Sequence, residues 1–585
     1  MSLAYDKQSV PARTQPEPAR DVDATRADQP RHSRSDTGTI VLHWLCVAAV
    51  FGSLFTGLRI AADERDSTFS KWLSPILPQG EVWTWHFVAG MTLIVSALAY
   101  ALYMIRARLG ARVSPRRVAV IAYAGPTKAR WNAVNVALHW ASYLLIALMT
   151  ATGVALYLGY GSWLTWLHTV LAYTMLSYVV AHVAVHFLYG GLDQLLRLFR
   201  PTGLPDAARM RQPLTVGLLV GVGAACAVAL TDYATRDTLR VNLVAVPPKL
   251  DGRLDDKAWQ AARPVFIHTM QGANLGGTGE SLVEMRAVRD DANIYLAFQW
   301  EDPSLSLRRL PIRKEADGWR MIGHDAGNAD VVDFYEDKFA VIFAERDDFG
   351  SGGVSHLGPR PVKDKPPSLN DRGLHYTTDG AIIDMWQWKS SRGGVLGLMD
   401  DMYIGAPQEP TPDQAARRAR YQGGYWPDPG HGIYTYNFPF DGPGGYQGPF
   451  QPQRLPRDVK AMQAAMGKVD MADPDASNEQ NSVWWLDDTN SVPYSREADA
   501  TIPVGTVIPG VVLSGTNEGD RGDLSVGAHW EEGHWTLEVK RRLKTGSKFD
   551  VDFTTGKTLY VWVSVFDHTQ TRHTRHARPV MMTFG

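Results

Sequence analysis

The sequence predicts a membrane α-helical bundle of five transmembrane helices followed by an all-β extracytoplasmic sandwich domain. Three observations carry that expectation. Apolar stretches at about 39–60, 83–105, 132–157, 163–189 and 213–231 each reach about 19 residues or more, enough for a helix to cross ~30 Å of hydrocarbon. Beyond residue 240 the long runs give way to short β-rich ones, Asn293–Trp300, Lys338–Phe343 and Thr558–Val565, separated by Gly, Pro and Asp turns. The averages of the 585 residues (45% hydrophobic, 21% charged, net charge −2) look ordinary because an apolar part and a polar part are mixed in them. Those averages exclude a disordered chain and a strongly basic nucleic-acid binder. Only two cysteines, Cys46 and Cys226, and no Cys-x-x-Cys-His exclude a disulfide scaffold, a Cys-ligated zinc or iron–sulfur site and covalent haem attachment.

Residues 1–36 are polar and rich in Pro, Asp and Arg, which predicts a disordered tail. They contain no apolar h-region followed by a small-residue cleavage site, so no removable signal peptide is expected. Loop charge then sets orientation. The segment 106–130 carries Arg106, Arg108, Arg112, Arg116, Arg117, Lys128 and Arg130 and no acid. In 190–212, Arg197, Arg200, Arg209 and Arg211 outnumber Asp193 and Asp206, whereas 61–82 sets Arg65 and Lys71 against Asp63, Glu64, Asp66 and Glu81. Positive loops stay cytoplasmic. The N-terminus is therefore expected inside, and five crossings leave everything after about residue 232 outside. Trp83, Trp85, Trp163 and Trp166 fall at the expected outer ends, as an interfacial aromatic belt requires. The predicted division is a tail (1–36), a four-helix domain (37–200), a fifth helix with its linker (201–239) and an outer domain (240–585). Within the last, a helix is expected near 457–467, and the Pro/Gly/aromatic stretch 404–455 is expected to lack regular structure. No internal repeat is evident.

The chemistry rests on histidine. His43, His86, His139, His168, His182 and His186 all lie in apolar helices, where an ionisable side chain is costly and marks a functional site. Proton relay, metal binding and haem ligation are the available roles. His168 and His182 are fourteen residues apart, which puts them within about 40° of each other and ~21 Å apart along one helix face. His86 stands opposite His168 at the outer level and His43 opposite His182 at the inner level. Two stacked bis-histidine haems fit this layout, and a compact metal cluster, with ligands at one depth, does not. Helical phase leaves His186 open as the inner ligand, with His139 another inner candidate. Gly57, Gly90 and Gly153 offer close approach of helices or a porphyrin, or are ordinary membrane-helix glycines.

LHW at 42–44, WHFVAG at 85–90, LHW at 138–140, WLH at 166–168 and AHVAVH at 181–186 resemble the bacterial di-haem cytochrome b (b(561)-type) family of hydrogenase and formate dehydrogenase subunits, over about 38–200. The resemblance implies His43, His86, His168 and His182 as ligands of two haems b, with quinone or quinol as redox partner near one membrane face. KLDGRLDDKAW (249–259), YEDKFAVIF (335–343), RGLHYTTDGAIIDMWQWK (372–389) and FDHTQTRHTRH (566–576) resemble the haem-binding subunit of ethylbenzene dehydrogenase, over about 240–585. That resemblance implies a β-sandwich holding a third haem b. The family's ligand positions fall nearest His375, upstream of Trp386–Lys389, and His573, with His576, Met385 and Lys389 as substitutes. The WQW run could pack on the porphyrin or in the core.

The expected function is a membrane b-type cytochrome moving electrons between the quinone pool and a periplasmic electron-transfer protein or dehydrogenase. It would sit in the bacterial inner membrane, in contact with lipid and without nucleic acid. Two alternatives stand beside it: an outer sandwich that is a ligand-binding or sensory module, and a reductase whose outer haem is catalytic. No nucleophile–base pair or paired carboxylate argues for hydrolysis.

Overall fold

The computed structural model describes residues 34–64, 67–122, 127–202, 207–323, 330–347, 355–356, 358, 373–412, 421–439, 449–469 and 478–585. Five helices among them are long and apolar enough to cross a membrane. They are α1 (Thr37–Ala62), α2 (Val82–Arg106), α3 (Thr127–Tyr157), α4 (Trp163–Leu196) and α5 (Ala207–Ala234). The boundary expected at 189 is a real break, because Gly190 and Gly191 leave helical geometry and the chain continues to Leu196 after the kink. Most of the tail expected through residue 36 lies outside the described residues, but Ser35 and Asp36 are ordered. They pair in parallel with Pro201 and Thr202, and Asp36 caps α1.

The bundle is built of two antiparallel pairs, α1 with α2 and α3 with α4, and α5 leans on α2. Gly217 and Gly221 give α5 its close approach. A Cβ at either would stand 2.8 Å from Ala99 O or 2.6 Å from Val95 O, so only a residue without a side chain lets the backbones meet. Side chains such as Phe55, Leu144, Val180, Leu188, Leu219 and Leu230 remain exposed on the bundle, as lipid-facing residues are in a membrane protein.

The second half is organised by a 12-stranded sheet. In chain order its strands are β1 (Thr238–Leu243), β2 (Val265–Thr269), β3 (Ser281–Arg289), β4 (Asn293–Glu301), β5 (Lys338–Ala344) and β6 (Ile383–Lys389). β7 (Asp400–Ile404), β8 (Tyr425–Pro427), β9 (Ser525–Glu531), β10 (His534–Arg542), β11 (Thr558–Phe566) and β12 (Val580–Phe584) follow. The spatial order is β8-β7-β6-β5-β11-β12-β1-β3-β4-β10-β9, with β2 beside β3. The sheet curls until its halves face each other, which realises the expected sandwich. Trp300 of β4 meets Phe339 of β5 at 4.6 Å and Trp388 of β6 at 5.9 Å between ring centroids. Trp386 and Trp388 thus resolve to core packing, against Phe343, Phe553 and Trp535. The helix expected near 457–467 is Val459–Met466. The stretch 404–455 departs from expectation. Its described part contains β8, paired with the preceding β7, and Tyr434–Tyr436 and the start of Arg454–Pro456, paired with strands later in the chain, while residues 413–420 and 440–448 lie outside the described residues.

The sheet domain sits on one end of the bundle, where α1, α3 and α5 finish and α2 and α4 begin. Arg575 reaches Glu64 at 3.2 Å and lies over the Trp83 ring at 4.8 Å. His268 Nδ1 meets Gly159 O at 2.6 Å, Gln271 donates to Thr165 at 3.1 Å, Arg578 pairs with Asp232 at 2.9 Å, and Thr378 donates to Glu81 at 2.8 Å. Trp85, Trp163 and Trp166 stay exposed at this end, whereas Trp83 is drawn into the interdomain contact.

Candidate functional site

Two imidazoles that held one metal between them would have ring centroids no more than about 6.3 Å apart, since a metal–nitrogen bond is about 2 Å and the centroid lies about 1.1 Å behind the nitrogen. His86 of α2 and His168 of α4 meet that spacing at 6.4 Å, with rings at 81°. Their outer nitrogens are fixed alike. Thr56 Oγ1 lies 2.9 Å from His86 Nδ1, and Thr152 Oγ1 lies 2.8 Å from His168 Nδ1. Each hydroxyl also donates to a carbonyl of its own helix, Gly52 O at 2.6 Å and Leu148 O at 2.8 Å. Each therefore accepts N–H from the imidazole, which leaves Nε2 as the nitrogen that could ligate a metal. Gly57 and Gly153 make room for these rings: a Cβ there would stand 3.3 Å from His86 Cε1 and 3.5 Å from His168 Cε1. At Gly90 a Cβ would meet nothing within 4 Å, so this glycine carries no comparable contact.

The threonines were missed in the sequence, although a signal exists. His43…Thr56-Gly57 in α1 and His139…Thr152-Gly153 in α3 share one spacing, a short internal repeat that relates the two helix pairs.

At the opposite end His139, His182 and His186 converge. Ring centroids are 5.7 Å apart for His139–His182, 6.5 Å for His139–His186 and 4.6 Å for His182–His186. His139 Nδ1 is held by Asn135 O at 2.7 Å. His43 makes its ring contact with the neighbouring Trp44 and stands within electrostatic range of His139, His182 and His186. The expected His43–His182 partners therefore face one group without stacking directly, and His139 is nearer to His182 than the sequence suggested.

In the sheet domain, His375 and His573 stand 6.3 Å apart, rings at 35°. His375 is carried on a short strand whose carbonyl accepts from Gly424 N at 2.8 Å. A Cβ at Gly424 would lie within 1.9 Å of Gly405 O, so the turn that holds His375 depends on glycine. His573 follows β11 and is anchored when Thr574 exchanges hydrogen bonds with Val565, at 2.8 and 2.9 Å. Its Nδ1 meets Thr574 O at 2.7 Å. Burial pulls the imidazole down to about 3 despite that carbonyl, so the ring is neutral at pH 7, the form that ligates metals. Beneath the pair, the sheet face opposite the core presents Ala340, Ala344, Met385, Met402, Trp562 and Phe566, an apolar platform with small residues on β5.

The substitutes behave differently. His576 accepts Val563 N–H at Nε2 (3.0 Å) and engages Arg578 O through Nδ1 (2.8 Å), so both nitrogens are structural. Lys389 is tied to Asp400 and Tyr434, and burial lowers it to about 8. Met385 lies in the platform at 6% exposure.

A helical bundle with half-buried imidazole pairs, long and apolar enough to span a membrane and capped by a sheet domain, fits one class: membrane b-type cytochromes that take part in electron transfer. The ethylbenzene dehydrogenase family model matches residues 256–578, more than half the chain, and the chain belongs to that family; residues 34–201 match the prokaryotic cytochrome b561 model. The latter carries b-type haem into the membrane part. Among solved structures, a family 9 carbohydrate-binding module from Caldicellulosiruptor kristjanssonii in complex with cellotriose is 8% identical, covering 60% of this chain and 93% of its own, with a TM-score of 0.22. A putative carbohydrate-binding protein from Bacteroides uniformis is 9% identical, covering 60% of this chain and 100% of its own, with a TM-score of 0.21. No curated protein matches the chain.

Proposed function

We propose that the protein moves electrons between the quinone pool and a periplasmic redox partner, with two haems b in the bundle and a third in the sheet domain. His86 and His168 hold the group nearer the sheet domain, and His375 with His573 hold the third. At the far end His182 supplies one ligand and His43 the other, with His139 and His186 flanking them. Haem b at each pair supplies reversible one-electron chemistry at iron. The protein supplies neutral imidazoles of fixed tautomer, an apolar platform and exclusion of water.

The observation that carries this reading is the pair of matching spacings, 6.4 Å for His86–His168 and 6.3 Å for His375–His573. They lie on either side of the contact between Arg575 and Trp83. The loop charge supports an inner-membrane protein with its N-terminus in the cytoplasm and the sheet domain in the periplasm.

The test is haem content of the purified full chain by pyridine haemochrome. Three haems are expected in the wild type and two in each of His168→Ala and His573→Ala. Unchanged content in His573→Ala would refute the third haem and favour the sensory-module alternative. In proteoliposomes, a short-chain quinol should reduce the bound haem, and no reduction would sink the quinone link. Protease added to spheroplasts should digest the sheet domain if it is periplasmic.

A further inference from the structure

Five aspartates converge at the edge of the sheet that holds β6, β7 and β8. One oxygen each of Asp384 (β6), Asp401 (β7) and Asp550 (the β10–β11 connection) lies within 4.8 Å of the others. Asp428, just after β8, faces Asp550, Asp384 and Asp401, and Asp523 faces Asp401 and Asp550. Asp384 and Asp401 are 0% exposed, Asp428 is 2% exposed and the Asp550 side chain 1%.

Among the described residues the counter-charge beside Asp384, Asp401 and Asp550 is Arg541, and Arg542 also acts on Asp523. The Arg541 Nη1 is 2.6 Å from Asp384, 3.7 Å from Asp550 and 3.9 Å from Asp401. Val551 N–H adds one hydrogen bond to Asp384 at 3.0 Å. Among the described residues, six carboxylate oxygens still have no hydrogen-bond donor: Asp384 Oδ1, Asp401 Oδ2, Asp523 Oδ1, Asp550 Oδ1 and both of Asp428. Asp428 is decisive, because neither of its buried oxygens meets an N–H or hydroxyl donor and the groups it faces, Asp550 first among them, are themselves carboxyls, a heavy desolvation cost unless something positive meets them. A second buried acidic group, Asp337 with Asp567, is different: Ser306 N, His568 N and Trp535 Nε1 donate to Asp337, and Leu275 N donates to Asp567.

We propose that Asp384, Asp401, Asp428 and Asp550 form a structural calcium site, with Asp523 at its rim. An all-oxygen donor set without His or Cys selects a hard cation, and six available oxygens from separate elements suit the 6–8 ligand, irregular shell of calcium better than the strict octahedron of magnesium. The ion would pin β6, β7, the end of β8 and the loops around residues 523 and 550 together. β6 also carries Met385 on the platform beside His375 and His573, so calcium would stabilise the floor of that site.

The test uses the full chain in detergent. Metal analysis after gel filtration should find one calcium per chain. EGTA should lower the unfolding midpoint of the sheet domain by roughly 5 °C or more, restored by calcium and not by equal magnesium. Terbium should bind in competition with calcium and luminesce under tryptophan excitation, since the Trp386 ring lies 5.0 Å from Arg541 Cζ. Asp428→Asn should lose the metal while a control at Asp302, a fully buried aspartate that faces Asp337 and Asp567 rather than this cluster, retains it as Asp302→Asn; if Asp428→Asn does not fold, the EGTA and terbium titrations of the wild type decide. Absence of stoichiometric metal, with a midpoint indifferent to EGTA, would overturn the site in favour of carboxyl pairs that share protons. Equal rescue by magnesium would overturn its assignment to calcium.

Discussion

At the scale of single residues, the hydroxyls of Thr56 and Thr152 decide how His86 and His168 present themselves. A threonine in a membrane helix ordinarily donates to a carbonyl of its own preceding turn, and both do so here. Their lone pairs are then aimed at imidazole Nδ1, which fixes the tautomer and raises the basicity of Nε2. Replacing either by valine keeps the shape and deletes the acceptor. Thr56→Val and Thr152→Val should weaken haem retention by about 10–100-fold and raise the midpoint potential of the affected haem, because a less basic imidazole stabilises the ferric state less. Haem loss on dilution and a redox titration measure the two effects. If both stay at wild-type values, the threonines merely cap their own helices.

At the scale of elements, α1 is fastened by one buried carboxylate. Asp36 accepts Thr39 N–H at 2.8 Å and Thr39 Oγ1–H at 2.9 Å as N-cap, Tyr103 O–H at 2.5 Å from α2, and Arg112 at 2.7 Å. Gly38 admits the tyrosine: a Cβ there would lie 2.4 Å from its ring. Burial pushes the Asp36 carboxyl up, but Tyr103, Arg112 and Thr39 together outweigh it and hold it below 3.8. Its stabilisation is therefore complete above the unfolded value of 3.8 and fades as the pH falls through the lower folded value. Asp36→Ala should cost about 1–2 kcal/mol at pH 7. In thermal unfolding the gap from wild type should close only in strong acid; a gap independent of pH would mean that packing rather than charge is lost. The same element shows what a sequence can reveal. The length of α1 and the phase of histidines along α4 are local properties, so the helices and the meeting of His86 with His168 were legible. The order at Ser35–Asp36 was not, because it rests on Pro201, Thr202, Tyr103 and Arg112, all far along the chain. Likewise β8 and Tyr434–Tyr436 lie in a Pro/Gly-rich stretch and exist through pairing with β7 and Val511–Leu513. His375 and His573 were named from resemblance alone, since nearly 200 residues separate them and only the curled sheet brings them together.

At the scale of the whole molecule, the question is how two histidine pairs in different domains would serve the one path proposed for them. Arg575 stands two residues after His573, and Trp83 stands three before His86, one helical turn away. The guanidinium covers the indole at 4.8 Å, pairs with Glu64 at 3.2 Å and donates to Gln271 at 2.6 Å. Arg572, on the other side of His573, pairs with Asp330 at 2.8 Å and reaches Asp63 O at 3.4 Å. The segment that carries His573 is thus the segment that grips the bundle, so ligation by His573 as proposed and docking would be one structural event. Removing the grip should separate them. Arg575→Met keeps an apolar stem and deletes the cation, at a cost of about 0.5–2 kcal/mol of contact energy, since the pair is part-exposed. Haem content should stay at the wild-type number. When quinol is mixed rapidly with the oxidised full chain, reduction of the bundle haem should keep its rate while reduction of the sheet-domain haem slows and becomes heterogeneous. Double mutation of Glu64 and Arg575 should add little beyond Arg575→Met, because both belong to one contact. Equal rates for both haems in Arg575→Met would mean that the domains stay aligned through Arg578–Asp232 and His268–Gly159 instead, and would move the electronic contact away from Trp83.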